Sequence, residues 1–395
     1  MNTSRLDILL YGHDGRGLGH ASRTIAIGMA LRRLFPRLRV LFVSGCRVSR
    51  DLIGQAPLDW LKLPSYATEV VAGTSRGATG SSMFSDQELG RLRTRQLAQI
   101  VSLYRPRLVL ADHTPQGKHR ELLEALQLSR QTDSTWLLGV RGVVGEVRQA
   151  GSELGRQLFR QHYHAIYWYG DSSVLGGSHQ ELLQSRYGSV PTECGYVSRL
   201  RELLYWQDGR IDPDSAVAGT ISIPWLGEHS LVFLRVLAEA LDSLGPGPGV
   251  WQLFIEPGTA QAAAEIDTLF GRLTSCRLQP FSGTDYLRSL SRSRCAVVYG
   301  GYNSIMDVLA LQLPAVVVTR AMEDNEQQQH LGLLLGATGG LLTGVDEIGV
   351  TPRALAALLD FALAAGPGQT HGINLDGARQ TAIHLGRLLE DLGHR

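Results

Sequence analysis

A histidine and a carboxylate brought together at strand exits can do proton-transfer chemistry, and this chain offers such a pair. His20 closes the segment GHDGRGLGH, and Asp112 and His113 open the segment DHTPQG. An imidazole has an ordinary pKa near 6.5 and serves as a base; a helix N-terminus tends to keep it neutral. A carboxylate that accepts one ring N–H orients the imidazole and stabilises its protonated form. The plainer readings are a surface histidine in a tight turn and an aspartate that caps its own loop. Both residues follow apolar runs of one expected sheet, and the carboxyl ends of such strands are where open α/β sheets bind ligands. That placement favours the pair.

The glycines before His20 raise a different chemistry. A dinucleotide fingerprint needs G-x-G-x-x-G and an acidic residue at the end of the second strand. After Gly15 and Gly17 the third glycine position holds His20, and VLFVSGC offers Ser44. Dinucleotide binding is therefore disfavoured. An anion site is expected further on, in CAVVYGGYNSIMDVLALQLPAVVVTR, residues 295–320. There an apolar strand ends in Gly300 and Gly301, and Asn303 or Ser304 can cap a helix with Asp307 one turn in. N–H groups at such a helix start, reached past glycines, suit a diphosphate. Ser304-x-x-Asp307 also reads as a capping box with no ligand, although capping leaves the paired glycines unexplained. After the next strand come Glu326, Gln327, Gln328 and Gln329. Such a run is an ordinary solvated helix start, but beside a diphosphate-type turn its carboxylate and amides suit sugar hydroxyls.

Positioning these groups requires a parallel α/β scaffold. DILLYG, RVLFVSG, RLVLAD, STWLLGV and AIYWYG, then WQLFIEPG, CAVVYGG and PAVVVTR, are short apolar runs, each followed by a breaker or polar residue and a helical pattern. Strands buried on both faces read this way. The rhythm occurs twice, interrupted by polar and breaker residues at about 194–220, and 395 residues exceed what one core organises. The expected fold class is α/β, with two Rossmann-like doubly wound domains facing a cleft.

Composition narrows the partners. With 38 basic and 37 acidic residues no nucleic-acid partner is implied. Only Lys62 and Lys118 are lysine; the rest of the basic set is arginine. The four cysteines, Cys46, Cys194, Cys276 and Cys295, have no C-x-x-C or metal-ligand spacing. Asp212-Pro213-Asp214 lies in the polar interruption without a preceding apolar strand, so no metal is expected. No window approaches the apolar length of a membrane span, and a cytoplasmic protein is expected. Peripheral membrane contact stays open, since an apolar patch leaves little trace in one sequence.

Taken together, DGRGLGHASR, VLADHTPQGKHRELLEAL, WLLGVRG, YWYGD, GYVSR and GGYNSIMDVLALQLPAVVV with EQQQ resemble the GT-B glycosyltransferases. The resemblance is narrowest to the bacterial branch that holds the peptidoglycan-precursor N-acetylglucosaminyltransferase and related predicted glycosyltransferases. It implies an acceptor-binding domain over 1–195, a donor-binding domain over 196–375, and a C-terminal helix over 376–395 crossing back to the first. It implies that His20, with Gly17, Gly19 and His113, faces the acceptor side, and that Arg199 reaches the donor phosphates. Asp307 matches the residue holding the ribose hydroxyls; Glu326, Gln327 and Gln328 match donor-sugar contacts. The implied reaction is inverting, metal-independent transfer from a UDP- or dTDP-sugar to an unidentified hydroxyl acceptor, a small molecule or glycolipid, with no cofactor. Nucleotide-sugar hydrolases and 2-epimerases share the scaffold, and a non-catalytic nucleotide-sugar binder is a further alternative. The segment GTISIPWLGEHSLVFL departs from the family, having only Gly227 where a glycine-rich loop is usual; there Trp225 either stacks on a ligand or packs.

Overall fold

The computed structural model describes residues 5–13, 18–71, 74–78, 83–144, 151–206, 217–280, 283–320 and 326–393, without the side chains of 67–78, Thr284 and Glu326. Gly15, Gly17 and the Asp212-Pro213-Asp214 run lie outside the described residues, as does the side chain of Glu326. The chain forms two compact units, Met1–Trp206 with Asn374–Arg395, and Gln207–Ile373. The division thus falls after Trp206 and after Ile373, not at the expected 195 and 375. The reason lies in Arg199–Trp206, a helix whose Leu200 and Leu203 are buried and whose Glu202 is paired with Arg33 of the first helix.

In the first unit the strands are β1 (Ile8–Gly12), β2 (Val40–Ser44), β3 (Asp59–Lys62), β4 (Ala67–Val71), β5 (Thr74–Ala78), β6 (Leu108–Asp112), β7 (Thr135–Arg141), β8 (Tyr163–Tyr169) and β9 (Thr192–Glu193). Seven of them make one sheet in the order β3-β2-β1-β6-β7-β8-β9, and β4 pairs with β5 as an antiparallel ribbon. The centre of the seven-stranded sheet is apolar on both faces: Ile8, Leu10, Phe42, Leu108 and Leu137 are buried on one, Leu9, Val43, Val109 and Leu138 on the other. The strand order reverses between β1 and β6, which run parallel with Tyr11 beside Ala111. Such a reversal opens a crevice at the carboxyl ends of the two strands. The last helix, Gly377–Gly393, packs on the first helix, Gly19–Leu34, in the same unit.

The second unit repeats the plan. Its strands are β10 (Val217–Ile223), β11 (Trp251–Ile255), β12 (Cys276–Gln279), β13 (Ser293–Tyr299), β14 (Ala315–Thr319) and β15 (Leu342–Asp346), ordered β12-β11-β10-β13-β14-β15. The reversal here lies between β10 and β13. Ile221, Phe233, Leu237, Trp251 and Val297 form part of its core. Central β10 carries no apolar run because Gly219 meets a large ring and Thr220 meets two hydroxyls. A Cβ on Gly219 would lie 2.4 Å from the Trp251 ring, and the Thr220 hydroxyl bonds those of Ser289 and Ser293 at 2.6 and 2.7 Å.

Candidate active site at two strand crossovers

β1 delivers His13 just past Gly12, β6 delivers Asp112 and His113, and the first helix begins at Gly19–His20. The structure brings these residues together: His20 Nδ1 lies 2.5 Å from Asp112 Oδ2. Arg23, one turn into the helix, donates to the same carboxylate at 3.2 and 3.4 Å. Its Nη2 also lies 3.1 Å from His20 Nδ1. A guanidinium only donates, and Nδ1 cannot both accept from it and donate to Asp112. The shorter contact to a carboxylate decides: Nδ1–H donates to Asp112, Arg23 serves the carboxylate, and Nε2 keeps its lone pair.

Two further imidazoles stand beside His20. Ring centroids of His13 and His20 are 5.0 Å apart, those of His13 and His113 5.0 Å, and those of His20 and His113 4.7 Å. Burial pushes all three pKa values well below the ordinary range. For His20 the Arg23, Arg141 and Lys118 cations push further the same way. The site therefore holds neutral imidazoles at neutral pH, which is the basic form. The Nδ1 atoms of His13 and His113 are buried without a hydrogen-bond partner among the described residues. The three rings are not arranged as ligands: no group of three His, Cys, Asp or Glu among the described residues is set to hold a metal ion.

The loop leaving β6 is held in unusual backbone. His113, His119 and Arg120 have φ of 81°, 51° and 65° without being glycine. L-residues rarely enter this region, and they stay there only where their surroundings over-determine it. On one side His113 N–H donates to Gly139 O at 2.7 Å. On the other, Glu121 is fully buried and accepts from Arg93 at 2.6 and 2.7 Å, from Tyr66 at 2.7 Å, and from Tyr11. Sequence reasoning missed His13, Arg23, Lys118, Arg141 and this network. His13 stood in the quoted loop, and Lys118 was legible as one of two lysines in an arginine-based chain.

In the second unit, the helix Tyr302–Ala310 starts at the β10/β13 reversal, and its N-cap is Gly301 with no side-chain cap. This corrects the expected caps: neither Asn303 nor Ser304 caps, and Ser304-x-x-Asp307 forms no capping box because both lie inside the helix. The first intrahelical bond runs from Ile305 N–H to Gly301 O, so the N–H groups of Asn303 and Ser304 precede the ladder. Gly301 has an ordinary φ of −72°, and a Cβ there would meet nothing within 4 Å. Neither conformation nor packing requires glycine at 301; its effect is to keep the approach to the helix start open. At Gly300 a Cβ would make only ordinary contacts, the nearest with Gln327 at 3.6 Å. Asp307 is buried, Gln327 and Gln328 are half-buried in the first turn of Glu326–Ala337, and Gln327 Oε1 is buried without a hydrogen-bond partner among the described residues.

Arg199, expected at the donor phosphates, has its described contacts within the first unit. It is buried in the first unit, its Nε donating to Ser22 Oγ at 3.2 Å and its Nη1 to Leu52 O at 3.0 Å. A charged group beside the second unit's reversal that sequence reasoning did not single out is Arg320, just past β14. Its guanidinium lies 3.6 Å from the Trp225 ring centroid and 3.8 Å from that of Tyr299. It donates to Trp225 O at 2.6 Å and faces buried Glu347 at 3.5 Å. Trp225 thus packs on an arginine. Glu347 also accepts from Ser230 and Tyr299, both at 2.6 Å, and Ser230 Oγ accepts from Gly227 N–H at 2.8 Å. The loop short of glycines is fixed through this cluster.

No protein-family model and no curated protein matches the chain. Solved structures do. A MurG from Acinetobacter baumannii superposes with a TM-score of 0.53 at 12% identity, covering 99% of this chain and 100% of that one. A UDP-GlcNAc 2-epimerase from Methanocaldococcus jannaschii gives 0.61 at 12%, covering 98% and 99%. An S. aureus MnaA–UDP co-structure gives 0.60 at 12%, covering 98% and 97%. The fold is that of the GT-B glycosyltransferases, an architecture shared with the UDP-GlcNAc 2-epimerases. No helix among the described residues is long and apolar enough to cross a membrane.

Proposed function

We propose that this chain is a glycosyltransferase that moves a sugar from a nucleoside-diphosphate sugar, UDP- or dTDP-linked, to an acceptor hydroxyl in the cytoplasm, without metal or cofactor. The observation that carries the reading is the 2.5 Å contact of His20 Nδ1 with Asp112, which leaves Nε2 as a free base. In the transfer, the acceptor oxygen forms a bond to the anomeric carbon and its proton passes to His20 Nε2. The bond from that carbon to the diphosphate breaks, its electron pair leaving with the phosphate oxygen, and configuration inverts. Asp112 steadies the imidazolium; general-base help of this kind is worth ~10²–10⁴-fold in rate. The diphosphate charge meets the N–H groups beyond Gly300 and Gly301, a preorganised stabiliser for a developing anion. Asp307 holds ribose, and Glu326, Gln327 and Gln328 hold the donor sugar.

A thermal-shift panel of nucleoside diphosphates and their sugars tests the donor half. A ligand at 100 times its Kd stabilises the native state by about 2.7 kcal/mol, so UDP or dTDP is expected to raise the melting temperature; a panel without any shift overturns the reading. A second reading, 2-epimerisation, draws on the higher TM-score of the M. jannaschii 2-epimerase, 0.61, than of MurG, 0.53; hydrolysis is the case in which water replaces the acceptor. Purified protein incubated with the donor alone is expected to leave it intact. An isomeric or free sugar formed at enzymatic rate without acceptor would replace transfer. Undiminished biological activity in His20→Ala, with loss in Asp307→Ala, would point to a non-catalytic binder.

A further inference from the structure

The first unit holds an opening that the chemistry above leaves unused. A cavity of about 1060 Å³ lies between the helix Asp86–Tyr104 and the segment that follows β6. Gln87, Thr94 and Arg95 line it from the helix; Gln116, Arg120 and Glu124 line it from the other side. Its large apolar lining is limited to Leu123 and Leu154. Gln116 and Arg120 belong to the loop that begins at Asp112, so base and cavity are built on one segment. Within that loop, the left-handed backbone at His119 and Arg120 falls on two of the lining residues. His119 is further fixed by its ring against Tyr66, with centroids 4.7 Å apart, and by Asp86 at 3.6 Å. Asp86 Oδ1 is buried in this wall without a hydrogen-bond partner among the described residues.

The chemistry of the lining selects among ligands. A lipid chain needs apolar walls, and an anion needs cations of one sign. Here guanidinium donors, carboxylate acceptors and amides that do both are interleaved. Hydroxyl groups donate and accept, so a polyhydroxylated ligand is the class that satisfies such a set. We infer that this cavity binds the acceptor, and that the acceptor is a saccharide held through its hydroxyls. The inference rests on the transferase reading for the word acceptor, and on the cavity alone for the word saccharide.

The test uses the full-length protein on a printed array of neutral, sulfated and phosphorylated glycans, with UDP-induced thermal shift measured in parallel. Retention of a discrete set of neutral glycans is expected. Thr94→Trp, which fills the cavity, should lower that binding at least tenfold, and so should Arg95→Glu, a change at an exposed helix position that leaves folding intact. The UDP shift should survive both. Absence of neutral glycan binding, binding confined to charged glycans, or binding untouched by Arg95→Glu would overturn the inference. A wild-type protein that binds glycans but shows no shift with any nucleotide would overturn the donor reading instead, leaving the cavity assignment standing.

Discussion

The two units place different chemistry at the same point of the same kind of sheet. In the first, the crossover between β1 and β6 gathers three titratable imidazoles, with the Asp112 carboxylate and the permanently charged Arg23 beside them. In the second, the crossover between β10 and β13 offers backbone at Gly301, while its charged pair, Arg320 and Glu347, is enclosed between Trp225, Tyr299 and Ser230. A proton-transfer site needs groups that change charge, and burial sets their pKa. A diphosphate site needs fixed donors that do not titrate, so helix N–H groups suit it. On the proposed reading, the Arg320–Glu347 pair at the second crossover is structural, while His20 and Asp112 at the first are chemical.

The largest effect that probes this contrast lies beneath the first site. Glu121→Ala strands the fully buried Arg93 guanidinium, at a cost of about 3–5 kcal/mol. Urea denaturation should show the loss, and replacing both partners by apolar residues should recover most of it. An equal cost for the single and double replacements would deny that a buried charge is what matters there.

Next comes the base itself. His20→Ala should lower kcat/KM by ~10²–10⁴-fold while the UDP-induced thermal shift is unchanged. Asp112→Asn should also lower the rate, since an amide cannot stabilise the imidazolium. If either variant loses UDP binding as strongly as turnover, the division of labour between the two crossovers is wrong.

The pH response is third in size. His13, His20 and His113 have folded pKa values below the ordinary 6.5. Above that value neither state carries the proton and these residues contribute nothing to pH dependence. Below it the unfolded chain binds protons that the folded chain refuses, so stability falls as pH falls, by about 1.4 kcal/mol per pH unit for each histidine. Denaturation midpoints between pH 7 and pH 5 should decline, less steeply in His13→Gln. The rate should hold its plateau below pH 6.5, because His20 stays unprotonated there; a fall centred at 6.5 would show an ordinary, solvated imidazole.

The smallest change in stability belongs to Gly301→Ala. Its Cβ enters open space at an allowed φ, so the fold should lose about 1 kcal/mol or less, the difference between glycine and alanine as an N-cap. Nucleotide affinity should fall, and fall further in Gly301→Val. Unaltered UDP titration in Gly301→Val would remove the diphosphate from this helix start.

Much of this was legible in the residues. All eight apolar runs are strands of the two sheets, because strands buried on both faces cannot hide their composition. The unread strands divide by cause. Edge strands β3, β9, β12 and β15 expose much of their surface and so carry mixed sequences; central β10 carries glycine to fit Trp251 and threonine to bond the hydroxyls of Ser289 and Ser293. The pairing of His20 with Asp112 was also legible, since both stand at strand exits beside a crossover.

By itself, then, the sequence determined two α/β halves, the strands at their centres, and the residue types at each crossover, because periodicity and apolar runs are local properties. Tertiary structure alone decided that Arg199 bonds Ser22 and Leu52 in the first unit, that Gly301 caps its helix, and that Arg320 lies between two rings. It also decided that His13 and His113 join His20. Each of these depends on partners far apart in the chain, and a long side chain's direction or a helix's first residue is set by what surrounds it in space, which spacing along a sequence does not record.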